Sequence, residues 1–114
     1  MGEHEQDQRV ISTLLTIATR TWTAPTGQHR AGVLARLREI AGDRTDLLAQ
    51  AAGIMLGLRP ADEADPNYTR YDGGAELLLE VADVDRDDKR VQEWVPVGVE
   101  RRNRWRRPEA PRGW

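Results

Sequence analysis

The stretch Asp43–Pro60, DRTDLLAQAAGIMLGLRP, is the most apolar in the chain and carries a start and a stop signal at its two ends. Leu47, Leu48, Ala51, Ile54, Met55 and Leu58 recur one and then three or four residues apart, the spacing of a helix. Ala49, Gly53 and Gly57 form a second stripe of small residues at four-residue intervals. A glycine inside a helix costs up to about 1 kcal/mol relative to alanine. Two of them predict that another helix comes close to this backbone, with Ala49, Gly53 and Gly57 at the close packing. The stretch is read as the central helix of a small bundle.

A chain of 114 residues makes one domain with a modest core. With no cysteine, it has no disulfide framework, thiolate zinc site or cysteine nucleophile. No segment approaches the roughly 18–20 apolar residues of a membrane span. The opening MGEHEQDQR lacks the basic-then-apolar order of a secretory signal, so a cytoplasmic protein is expected, with no membrane partner. The net charge of −2 conceals an asymmetry: residues 101–114 hold six arginines and one glutamate (+5), which leaves −7 on residues 1–100. Ten of the acids fall within residues 61–88. The chain is an acidic body with a basic end. Sixteen of seventeen basic residues are arginine, a bias that coding in a GC-rich genome explains most simply.

Taken in order, residues 1–8 are expected to fray, and Val10, Ile11, Leu14, Leu15, Ile17 and Ala18 give one face of a helix from Arg9 to Trp22. Thr23–Gly27, TAPTG, reads as a turn. A second helix runs from about Gln28 to Ala41, with Ala31, Leu34, Leu37, Ile40 and Ala41 inward; Gly42 is its stop, and Asp43 or Thr45 caps the central helix. Asp65-Pro66 opens a further helix that uses Tyr68, Tyr71, Ala75, Leu78, Leu79 and Ala82, continuous across Gly73-Gly74 on the favoured reading. The last helix begins near Asp87, buries Val91, Trp94 and Val95, and must kink or restart at Pro96. The expected fold is all-α: a single-domain bundle of four to five helices over residues 1–105, with a disordered basic tail at 106–114.

Three stretches could carry chemistry. Arg38–Leu58 resembles the opening of a helix-turn-helix regulator of the phage-repressor type through DLLAQAAGI, which implies a turn at Gly53 and a recognition helix after it. The residues after Gly53 are instead apolar and offer no base-reading side chain, so an uninterrupted buried helix is preferred and nucleic-acid binding is the alternative. Asp83, Asp85 and Asp87 share the first spacings of a calcium-binding loop. There Asp88 replaces the turn glycine and Trp94 the bidentate glutamate, so a solvated turn that caps the last helix is the preferred reading. RRNRWRRPEAPRGW interleaves arginine with tryptophan; a solvated tail is the preferred reading, before contact with an acidic partner surface or with residues 61–88 of its own chain, and before nucleic acid through phosphate contacts and base stacking.

Catalytic groupings are not evident: His4 and His29 have no ligand spacing, Ser12 lies within a helical pattern, and no cofactor motif is present. The runs AGDRTDLLAQAAGIMLGL, AELLLEVADV and VGVERR together resemble small all-helical proteins of high-GC actinobacteria, a resemblance that implies a helical fold and supplies no activity. The functional expectation is a non-enzymatic protein-binding or self-associating module. Its contact residues are Trp94, Arg101, Arg102, Arg104, Trp105, Arg106 and Arg107, or the small-residue face of the central helix.

Overall fold

Five helices of more than one turn, and one single turn, account for the regular structure of a computed structural model that describes residues 2–22 and 27–106, with side chains for 5–22 and 29–104. They are α1 (Gly2–Thr21), α2 (Gly27–Ala41), α3 (Thr45–Leu58), α4 (Pro66–Ala82), the single turn α5 (Lys89–Gln92) and α6 (Val95–Arg106). The all-α bundle expected from the pattern is the fold observed. Helix α3 is its axis: eleven of its fourteen residues are buried, and it touches each of the other five elements, α4 and α6 most extensively. Among the described residues, the buried side chains are all hydrophobic. Such a core gains stability in proportion to apolar area and leaves no buried polar group to satisfy.

Local chemistry explains where most elements begin and end. At Asp65 the backbone is extended, and its carboxylate accepts the Asn67 N–H at 2.9 Å with Pro66 in the first turn, so α4 starts where expected. Gly42 stops α2 in the left-handed region (φ 62°), its N–H donating to the Arg38 carbonyl at 2.8 Å. The start of α3 departs from expectation: neither Asp43 nor Thr45 caps it. Arg44 occupies the capping position without a side-chain cap, and its guanidinium instead bridges Asp46 and Asp7 at 2.9 and 3.1 Å. That bridge also bears on α1, which begins at Gly2 rather than Arg9; Asp7 is held to the start of α3, and the acidic opening continues the helix. The threonines of α1 return their hydroxyls to carbonyls four residues back, as Thr16 does to Ser12 at 2.9 Å.

Two inner faces differ from their expected residues. In α2, Val33, Leu37 and Ala41 are buried at four-residue spacing, and Ala31, two residues before Val33 and so on the opposite side of the helix, is exposed. In α4, Leu77 and Val81 join Ala75, Leu78, Leu79 and Ala82 in the core, and Tyr68 and Tyr71 are only half-buried. Helix α4 runs unbroken through Gly73-Gly74. A Cβ at Gly74 would lie 3.1 Å from the Ala18 carbonyl and 2.2 Å from the Met55 methyl, so α1 lies almost against the α4 backbone there. The last segment restarts rather than kinks: Asp88 caps α5, and α6 begins anew at Val95 with Pro96 in its first turn. The turn expected at Thr23–Gly27 falls largely at residues 23–26, and the disordered tail at 107–114; both lie outside the described residues. Arg106, expected in that tail, closes α6.

Glycine positions separate the two roles of the residue. Gly57→Ala should lower stability by about 3 kcal/mol, because its Cβ would sit 2.1 Å from the Val95 carbonyl oxygen. Gly32→Ala, in α2 with no atom within 4 Å of the new methyl, should raise stability by up to about 1 kcal/mol. Urea-unfolding midpoints of the two variants, compared with the parent chain, check both signs.

Candidate functional site

The small-residue stripe of α3 is occupied from within the chain. A Cβ at Gly53 would meet the Val91 carbonyl oxygen at 2.2 Å and the Trp94 Cβ at 2.8 Å; one at Gly57 would meet the Val95 oxygen at 2.1 Å and the Gly98 Cα at 2.8 Å. Ala49 is fully buried as well. Helices α5 and α6 thus run along α3 in the same sense, with their backbones in contact. The close neighbours expected along this stripe are α5 and α6, which cover it at Gly53 and Gly57. The helix-turn-helix geometry is absent for the same reason. Gly53 lies mid-helix in α3, and Ile54–Leu58, where a recognition helix would project, are buried.

Trp94 sits at the junction of α5 and α6, half-buried against α3, and its carbonyl accepts the Val97 N–H at 3.1 Å to start α6. The structure does not bring it together with the arginines. Arg101 follows seven residues later, roughly 10 Å along the axis.

At the far end of α6 the arginines have different surroundings. Arg102 donates from Nη1 to the Arg59 carbonyl just past α3, which fastens α6 to the end of α3. Arg104 pairs with Glu100 at 2.7 Å one turn earlier. Arg101 has no ion-pair partner among the described residues. It borders a hollow of about 270 Å³ that is lined as well by Leu15, Thr16, Thr19, Arg20, Leu58 and Tyr71. The Trp105 and Arg106 backbones belong to α6; Arg107 lies outside the described residues.

Arg59 supports this end of the molecule, and the sequence reading gave it no role. Its Nε donates to the Leu56 carbonyl at 2.9 Å, and its Nη1 to the Tyr68 hydroxyl at 3.1 Å and to Asp72 Oδ1 at 3.0 Å. The guanidinium carbon lies 5.1 Å from the Tyr68 ring centre. Asp72 also accepts from Arg86 Nη1 at 3.0 Å, and Arg86 pairs with Glu76. The network joins the end of α3, the first turns of α4 and the connection to α5. The one sequence signal for it was position: a lone arginine between the last buried residue of α3 and Pro60.

The acidic connection lines a groove of about 780 Å³ between the end of α4 and the start of α5. Asp83 ends α4 in the left-handed region (φ 58°), and Asp88 caps α5 by accepting the Arg90 N–H at 2.8 Å. Asp83, Asp85 and Asp87 are distributed along that connection, and among the described residues no three metal-ligating side chains converge. The Arg90 guanidinium and N–H, both bonded to Asp88, hold its carboxyl down to about 2. Hydrogen bonds from Arg44 lower the Asp46 carboxyl in the same way, and Asp46 and Asp7 in turn raise the Arg44 guanidinium. His29 and Ser12 are both exposed and stand in no hydrogen-bonded grouping of catalytic type. No helix among the described residues is long and apolar enough to cross a membrane. Comparison with protein-family models, curated protein sequences and solved structures found no match to this chain.

Two outcomes follow from these contacts. Arg102→Ala should speed amide hydrogen exchange in the last two turns of α6 without changing exchange in the core of α3, as read by residue-resolved NMR. The Asp88 carboxyl is lowered to about 2 from an unfolded value near 3.9, so its contribution is complete above about pH 4 and disappears as pH falls towards 2. Asp88→Asn should therefore lower the thermal midpoint at pH 7, and this difference should shrink at pH 2.

Proposed function

We propose that this chain is a non-enzymatic helical module that binds another protein in the cytoplasm through the arginine-bearing end of α6. The observation that carries this reading is the contrast between the two faces of the α3–α6 pair. The small residues are consumed inside the chain, whereas Arg104 is exposed and the half-buried Arg101 borders a shallow apolar hollow. Arginine beside exposed apolar and aromatic surface is the composition of protein-interface hot spots. Anchoring of Arg102 on the Arg59 carbonyl supports the reading further, because a helix end held in place binds with less ordering cost than a free one.

A photo-crosslinking residue at position 104, compared with one at Arg36 on the outer face of α2, tests the proposal in living cells. The expected result is a discrete, nuclease-resistant protein adduct from position 104 and none from position 36. Adducts that vanish with nuclease would replace the protein partner with nucleic acid; equal adducts from both positions, or none, would contradict the proposal.

A further inference from the structure

The hollow beside Arg101 says what kind of partner surface suits this end of the molecule. Its apolar lining is Leu15, Leu58 and Tyr71, contributed by α1, α3 and α4, and its charged lining is Arg20 and Arg101 from α1 and α6. No carboxylate lines it, and neither guanidinium has an ion-pair partner among the described residues. Two further shallow apolar hollows among the described residues differ in charge. The one at Val10 and Ile40 includes Glu5 beside Arg9, and the one at Ile17 and Val33 has Arg36, which is paired with Glu39 at 3.0 Å. Most other arginines with described side chains are engaged: Arg30, Arg36, Arg44, Arg59, Arg86, Arg90 and Arg104 all pair with carboxylates. Two guanidiniums without an ion-pair partner among the described residues thus share one apolar hollow. At about 270 Å³ the hollow lies below the roughly 300–1,000 Å³ of small-molecule sites, and it is the size for one large side chain.

From this arrangement we infer, resting on the protein-binding reading above, that the hollow receives an acidic segment of the partner: one large aliphatic or aromatic side chain against Leu15, Leu58 and Tyr71, with carboxylates on either side facing Arg20 and Arg101. Guanidiniums from two helices favour a segment with carboxylates on both sides of its apolar residue, and charge complementarity raises its rate of encounter. Arg101 is one of the residues expected from sequence to bind a partner; Arg20, eighty-one positions away in sequence and on another helix, is its counterpart.

Fluorescence anisotropy with a short labelled peptide, Leu-Phe flanked by Asp and Glu, tests the inference on the full chain. Saturable binding is expected. Arg20→Glu combined with Arg101→Glu should weaken it at least about tenfold, as should Thr16→Trp, which fills the hollow from an exposed position. Arg9→Glu combined with Arg38→Glu makes the same change in net charge at arginines elsewhere and should leave binding within about twofold of the parent. Amide shifts on binding should centre on Leu15, Leu58 and Tyr71. Equal weakening by the two double variants, equal binding of a peptide with Ser in place of Leu-Phe, or no binding would overturn the inference. If the crosslink from position 104 survives Arg20→Glu with Arg101→Glu, the hollow assignment falls and the protein-binding reading stands; if both signals are missing from the parent chain, both fall.

Discussion

The close approach of the α3 backbone to α5 and α6 is the contact that the rest of this molecule depends on. At Gly53, Gly57 and Gly98 the position of a missing Cβ lies 2.1–2.2 Å from a carbonyl oxygen across the interface, those of Val91, Val95 and Ile54 respectively. The α-hydrogen in that position points at the oxygen, the geometry of a Cα–H···O contact worth about 0.5–1 kcal/mol each. The glycines are four residues apart on α3, and so are the two carbonyls that face them, so the helices stay in register over a full turn. Each glycine is individually unfavourable in a helix. Their value is that they permit a backbone separation no other residue allows, and thereby bury Leu47, Leu48, Ile54, Met55 and Leu58 on the remaining sides of α3.

That contact decides what the surface has to offer. With α5 and α6 laid along it, α3 presents little to solvent, and the chain's charges are carried by the outer helices. The end of α3 lies beside the middle of α6, which lets Arg102 reach the Arg59 carbonyl and lets Arg59 gather Tyr68 and Asp72. The same alignment brings Arg101 to the hollow lined from α1, α3 and α4, so residues from four helices share it. A change at Gly98 would therefore be felt at Arg101, one turn of α6 away.

Much of the fold was legible because periodic apolar residues and simple stop signals carry it. Gly42, Asp65-Pro66 and Pro96 each act through a local mechanism that needs no tertiary partner: a left-handed φ, a side-chain cap, a missing N–H. The small-residue stripe announced a close neighbour but not which one. Gly98, the matching residue in VPVGVE, gave no period of its own in a segment interrupted by proline. Ala31 and Val33 were exchanged because alanine is tolerated on either face, and only packing against α1 and α4 chose between them. The Arg59–Asp72–Arg86 network and the hollow lined by Arg20 and Arg101 join residues far apart in sequence, so no spacing could reveal them.

The central claim is that the glycine face of α3 is closed by the same chain. Isotope-filtered nuclear Overhauser spectroscopy on a mixture of labelled and unlabelled chains reads this directly, through the α-protons of Gly57 and Gly98. The account predicts a strong cross-peak between them that is wholly intramolecular. A cross-peak found only between labelled and unlabelled chains, or none, would show that α6 does not cover α3 and would contradict the account.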